Sequence, residues 1–382
     1  MYIRDPLLGN IILTNLEKEI ISTKYMQRLN YVRQLGFVYL VYPSANNSRF
    51  EHSLGTMQIT KEIAKNVFKR ISSDELEELA CGALLHDIGH GPFSHVLDEA
   101  VKKYLKKDHV DIGEEIVENT EIGEMIEKKG LSIREVVRSM HGLGRGGIIG
   151  GSLGSDRIDY LLRDSYHIGV AYGVIDYNRI KNKIAFDKEP VIYEEAIEGA
   201  ESMLIARYFM FTSVYNHHTS VIASEMFKKA LDGAITAGEF DPKELSMLTD
   251  YQLMYRLSQY KESRDIIARI NERRLFKRVI YKDISGIKNP KSLLNEVAEE
   301  LESGGIGQED FVTTLVEYKS NDNDMPVIDK KGKKIGMLSE MSPLVNTLIG
   351  MLNNRKKMLV ASSPETRKKA ERIASKIVDI SK

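Results

Sequence analysis

The sequence predicts a mostly α-helical protein with a short N-terminal β-hairpin and a smaller C-terminal α+β lobe. Three observations carry that prediction. Two turn pairs, Asp5-Pro6 and Gly9-Asn10, punctuate the first fourteen residues. Helical apolar periodicity then dominates to about residue 280. Beyond about 285 strand-like runs replace it.

Residues 2–14 alternate around the two turns and read as the hairpin. Residues 48–71 read as a helix: Ser48 and Glu51 have capping-box spacing, and Thr56, Ile59, Ile63 and Val67 share a face. A second helix covers about 74–87, with Leu76, Leu79, Ala80 and Ala83 inward. Gly89, Gly91 and Pro92 stop it. A third opens at Ser155 and runs through DRIDYLLRDSYHIG, and a long one spans about 194–235 through Met203, Ala206, Met210, Val214 and Val221. The segment 142–154 contains G-x-G-x-x-G at Gly142, Gly144 and Gly147. A helical stretch precedes it where a dinucleotide fold requires a strand, so it reads as a flexible loop. FVTTLVEY, MPVIDKKGKKIGML (folded at Lys331-Gly332) and KKMLVASS read as strands, and 364–380 as a closing amphipathic helix. The expected division is 1–284, with its helical core at about 48–170, and 285–382.

At roughly 150 residues per domain, 382 residues suit two domains. The 54 Lys+Arg against 55 Asp+Glu exclude a strongly basic nucleic-acid coat and an acidic tail as descriptions of the whole. Cys81 is the single cysteine, so no intrachain disulfide forms; it reads as a small core residue in a reducing compartment. MYIRDPLLGN lacks a signal-peptide pattern, and no run reaches the ~18 apolar residues of a membrane span, so the expectation is a cytoplasmic protein without membrane contact.

Four of the nine histidines fall between 52 and 95, and they locate the chemistry. His86 lies seven residues beyond Leu79 and three beyond Ala83, so it projects from the buried face of its helix. His52 does the same relative to Thr56 and Ile59. Asp156 shares a stripe with Tyr160, Asp164 and His167. One such histidine alone reads as a hydrogen-bonded core residue. The set reads differently, because a core rarely collects so many unpaired polar groups along apolar faces. A divalent metal shared by His52, His86, Asp87 and Asp156 satisfies several at once; two nitrogens and two oxygens suit Mn, Fe, Ni, Co or Zn and allow Mg.

The segments HDIGHGPFSH, SRFEHSLG and SDRIDYLLRD resemble the HD-domain phosphohydrolases, and more narrowly their deoxynucleoside triphosphate triphosphohydrolase branch. The resemblance begins at MQRLNYVRQLG (26–36), continues from Arg207 to Tyr215, and reaches ARINERRLFKRV (268–279), about three quarters of the chain. It implies an HD-type helical core whose metal ligands match His52, His86, Asp87 and Asp156. It further implies active-site histidines at His90 and His95, with Asp98 orienting His95, a further histidine at His109, and a phosphate-binding arginine at Arg49. Gln34 and Asp164 match groups that bind the sugar 3′-hydroxyl, Tyr160 packs nearby, and Leu35 falls among the substrate-binding positions. Arg207 and Tyr215 match the pair crowding the sugar 2′ position, and His217 matches a pocket histidine. The implied partners are a nucleotide substrate and further copies of the chain in a homo-oligomer.

Relatives switched on by nucleotides carry an acidic residue and an arginine where this sequence has Ser22 and Asn30. Gln27, Arg273 and Lys277 still match regulatory-nucleotide contacts. Two alternatives remain: an HD-type nucleotidase acting on GTP or monophosphates, and a non-catalytic nucleotide sensor or nucleic-acid-binding module. The second rests on RINERRLFKRVIYK (269–282), with Phe276 and Tyr281 among its charges, which reads more readily as a solvated helix face.

Overall fold

The computed structural model describes residues 2–173, 175–318 and 324–380, and most of them are helical. Strands β1 (Tyr2–Asp5) and β2 (Gly9–Ile12) pair antiparallel, with Tyr2 opposite Ile12. The Asp5 carboxylate closes their turn by accepting the amides of Leu7 and Leu8, each at 2.9 Å.

Three helices form the frame of the site. The first, Arg49–Val67, starts at the Ser48–Glu51 capping box expected from the sequence. Ser72 and Glu75 form a second box at the start of Ser73–Leu85, whose Leu79, Ala80 and Ala83 are buried. The third, Ser155–Ile168, packs across the first at Gly55. A Cβ at Gly55 would stand 1.8 Å from Asp159 Oδ1, so only glycine permits this approach. Gly89 works the same way: its missing Cβ would stand 2.0 Å from the carbonyl oxygen of His109, which opens the helix His109–Glu118.

The rest of the chain builds two sheets. In the first, β3 (Ile184–Asp187), β4 (Glu189–Tyr193), β7 (Pro326–Ile328) and β8 (Lys334–Met337) lie in that order, with β4 and β7 parallel. In the second, β9 (Lys356–Ser362) runs antiparallel between β5 (Lys277–Asp283) and β6 (Phe311–Glu317). Helices Pro290–Ser303 and Arg367–Ile380 contribute Val297, Leu301 and Ala374 to its own small core, with Met358 and Val360 of β9. Residues beyond 285 also feed the main core. Leu338 and the buried side of helix Pro343–Asn354 (Val345, Leu352) join it, and that helix packs on Ile197–Phe209.

Four features depart from the sequence expectations. The helix expected over 194–235 is interrupted: Ile197–Phe209 opens into a wide π-type turn, Met210–Tyr215, before His218–Thr236 resumes. Met203, Ala206, Met210 and Val214 are buried in either arrangement, so periodicity could not reveal the break. The glycine-rich stretch is largely helical: a 3₁₀ turn at Gly144–Gly146 runs into Gly147–Gly150. Residues 269–282 form no single solvated helix face, because Lys277 to Asp283 make β5. Phe276 is buried there, and Tyr281 is half-buried, its hydroxyl donating to the Asn216 carbonyl at 2.6 Å and the Lys357 ammonium lying 4.5 Å from its ring centroid. The β3–β4 hairpin was not expected at all. Among the described residues, no helix is long and apolar enough to cross a membrane.

Candidate active site

The three frame helices bring their polar residues to one point. Ligand atoms of His52, His86 and Asp87 lie within 4.8 Å of one another, and all three residues are buried. Asp156 completes the group, with Oδ1 at 3.0 Å from His52 Nε2 and 3.8 Å from His86 Nε2. Both imidazoles are held by their other nitrogen. His86 Nδ1 lies 2.7 Å from the Ala83 carbonyl oxygen, which can only accept, so Nδ1 carries the proton. His52 Nδ1 donates likewise to Asp159 Oδ2 at 2.8 Å. Each Nε2 therefore faces the carboxylates, where it holds a proton or, without one, can bind a cation, and His86 Nε2 is buried without a hydrogen-bond partner.

That orphaned nitrogen tests the metal expectation. Two imidazoles that turn Nε2 toward two carboxylates, one of those nitrogens buried and unpaired, make a donor set that a divalent cation satisfies. The electrostatics agree. Burial opposes charging His52, yet hydrogen bonds to Asp156 and Asp159 and the nearby Asp87 outweigh it and raise its pKa to about 10. Despite burial, Asp87 is lowered by Arg49 and the two histidines, and Asp156 by His52 and His86. Such a cluster demands positive charge, from protons or from a metal that displaces them.

Next to it lies a second polar group. Arg49, almost wholly buried, donates to Asp87 and to the Ser94 hydroxyl, and its Nη2 lies 3.4 Å from His95 Nε2. His95 Nδ1 pairs with Asp98 Oδ2 at 2.9 Å, which orients an otherwise exposed imidazole. His90 stands 3.5 Å from Asp87, and its ring stacks on His109 with centroids 3.9 Å apart. Burial, with Arg49 next in effect, pushes the His90 pKa well down; burial also lowers His109. Both are therefore neutral imidazoles near neutrality.

A third polar group surrounds Asp164 and Arg207. Tyr215 donates to Asp164 Oδ2 at 2.7 Å and Asn47 to its Oδ1 at 2.8 Å, while Arg207 Nη1 lies 3.2 Å from the Tyr160 hydroxyl. Gln34, Leu35, His95 and Tyr215 line one cleft of about 380 Å³, bounded on its far side by β6. Burial raises the Asp164 pKa to about 6 from an ordinary 3.8, against those two hydrogen bonds. The folded chain thus binds this proton more tightly than the unfolded chain, so its contribution to stability is lost as pH rises from about 4 to about 6. Over that window wild type is expected to lose up to about 3 kcal/mol relative to Asp164→Asn. Urea unfolding of both proteins at pH 4 and pH 7.5 measures it, and parallel pH profiles would refute it.

Other expected site residues lie apart. His217 Nδ1 caps the following helix by accepting the Thr219 amide at 3.2 Å, and its ring packs on His218. Gln27 donates to the Ile21 carbonyl and Arg273 to that of Leu40, while Lys277 begins β5 opposite Ser362. Among the described residues no hydrogen bond or ion pair joins these three. Sequence reasoning missed Asn47, Ser94, Asp159, Arg163 and Asp250. Only Asp159 and Arg163 carried a signal, the four-residue spacing of an acid and a base on one helix.

A helical frame that gathers a histidine, a His-Asp pair and a later aspartate onto one buried point defines an HD-domain protein. The HD domain model matches residues 49–167, and the HD associated region matches 175–382. The chain belongs to this family of HD-domain phosphohydrolases, in the branch that carries the associated region. It is 35% identical over 364 residues to "Uncharacterized protein MJ1154" of Methanocaldococcus jannaschii, covering 91% of this chain and 75% of that one. It is 24% identical over 424 residues to the deoxynucleoside triphosphate triphosphohydrolase SAMHD1 of Gallus gallus, covering 90% and 65%. Among solved structures, a hypothetical protein from Aquifex aeolicus matches with a TM-score of 0.80 and 31% identity, over 97% of this chain and 99% of that one. The chain spans between about half and three quarters of the length of the first curated relatives.

Proposed function

We propose that this chain hydrolyses deoxynucleoside triphosphates at the α-phosphorus, releasing a deoxynucleoside and inorganic triphosphate. One observation carries the reading. Arg49 joins the cation-demanding cluster at Asp87 to His95, and His95 shares one cleft with Gln34 and with Tyr215, the donor to Asp164. The likeness to a triphosphohydrolase over 90% of the chain supports it.

His52, His86, Asp87 and Asp156 would hold the divalent ion. Bound there, such an ion supplies charge neutralisation at phosphate and activation of water. The side chains account for the rest. Arg49, fixed by Asp87 and Ser94, offers positive charge to the phosphates without having to reorganise. Neutral His90 and His109 offer N–H donors to the same oxygens. His95, turned by Asp98 and open to solvent, protonates the departing 5′-oxygen as the phosphorus–oxygen bond breaks. Asp164 and Gln34 take the sugar 3′-hydroxyl. Arg207 with Tyr160 and Tyr215 fills the space that a 2′-hydroxyl needs, which favours deoxyribose.

The test is incubation with each dNTP, NTP and monophosphate, with Mn, Mg, Ni and Co in turn, followed by phosphorus NMR of the products. Inorganic triphosphate from a dNTP is the expected product. Pyrophosphate or single phosphates would overturn the position of attack, and turnover of GTP or monophosphates alone would replace the substrate.

A further inference from the structure

We propose that Asp250 is a positioning residue for the active site, setting the loop that carries His95 against the segment that carries Gln34. The proposal rests on the reading of His95 and Arg49 as substrate-facing groups.

Asp250 is fully buried at the start of the helix Asp250–Gln259, more than 150 residues from the groups it holds. Its Oδ1 accepts the Phe93 amide at 2.8 Å and its Oδ2 the Arg33 amide at 3.1 Å, with Arg33 Nη1 at 3.5 Å. One carboxylate thereby holds the backbone amides of two irregular segments, which the Ser94 hydroxyl also links by donating to the Arg33 carbonyl at 3.4 Å. Each leads into the site. Arg33 bridges to Ser48, immediately before Arg49, and Gln34 follows it. Phe93 leads through Ser94 to His95.

The loop needs such a tie. Phe93 and Ser94 are consecutive non-glycine residues with φ of +53° and +40°, a region L-residues rarely adopt unless their surroundings impose it. Phe93 is clamped from the other side, stacked on Phe37 and packed on Phe227, both with centroids 4.5 Å away. Those contacts fix the ring, while Asp250 fixes the amide and hence the direction in which the chain leaves. The next hydroxyl, on Ser94, accepts from Arg49, and the next imidazole, on His95, meets Asp98. Arg28 reinforces the hub by donating to the carbonyls of Leu248, at 3.1 Å, and Ile88, at 2.8 Å.

Asparagine tests the carboxylate with almost no change in shape. It retains one oxygen, and its NH₂ group confronts whichever amide lost its acceptor. Asp250→Asn is expected to lower kcat by about 10²-fold, the scale of an ångström-level displacement, with KM and bound manganese unchanged. Full kcat, or a loss that follows metal content or melting temperature, would overturn the proposal. Hydrogen exchange on the wild-type protein serves even if the variant fails to fold or no dNTP is turned over. The Phe93 and Arg33 amides are expected among the slowest of segments 86–98 and 26–36, and rapid exchange at either would refute the tie.

Discussion

Asp87→Ala is expected to abolish metal binding and to reduce hydrolysis by about 10³-fold, a loss of about 4 kcal/mol in transition-state stabilisation. Asp87 is where the site's charges meet. It receives Arg49, lies 3.4 Å from His86 and 3.5 Å from His90, and stands 3.7 Å from His52. Removing it takes one carboxylate from the donor set and leaves the Arg49 guanidinium buried without its anion. His86→Ala removes a buried nitrogen of the cluster that has no hydrogen-bond partner, and the same two losses are expected. Metal content by mass spectrometry and initial rates with excess Mn measure both effects. An Asp87→Ala protein that binds metal normally and keeps its rate would sink the metal-site reading, whatever the substrate proves to be.

Arg163→Met is expected to destabilise the fold by about 3–5 kcal/mol and to weaken metal binding about 10–100-fold. Arg163 is completely buried, yet it touches no candidate ligand. It donates to both Asp159 oxygens, at 2.9 and 2.8 Å, and to Asp5 Oδ2 at 2.8 Å. Asp159 in turn accepts from His52 Nδ1. Without the guanidinium, two buried carboxylates lose their counter-charge, which is the costly way to break a buried pair. The imidazole of His52 also loses the support that fixes its tautomer and aim. The chain Asp5–Arg163–Asp159–His52 thereby links the N-terminal hairpin to the metal cluster. Denaturant unfolding and manganese titration test the two halves separately. A variant as stable as wild type would show that the network contributes nothing to the fold, and unaltered metal affinity would show that it does not orient His52.

Much of this was written in local pattern. The capping boxes at Ser48 and Ser72 are contacts over three residues, so their chemistry is visible in the sequence before any tertiary structure exists. His52 and His86 were legible because helical spacing ties each to an apolar face, and a face that must be buried carries its polar members inward with it. Strand β9 and the Lys331-Gly332 turn were legible for similar local reasons. The wide turn at Met210–Tyr215 was not, because an α-helix and a π-type turn bury the same apolar residues there. Nor was β5, whose alternating charges resemble a solvated helix until β9 pairs with it.

The sequence by itself determined the helical class, the helices that carry the HD motif, and the residue types available to a metal. Only the tertiary structure decided how those groups are held. Asp159 could be suspected as the partner of Arg163, but nothing local says that it faces His52 from 107 residues away. Asp250 gives no local sign that it accepts the amide of Phe93. A periodic pattern reports which face of an element is buried. Which element lies opposite is set by close approaches such as that at Gly55, where the absence of one Cβ lets two helices, and with them the second layer of the site, come together.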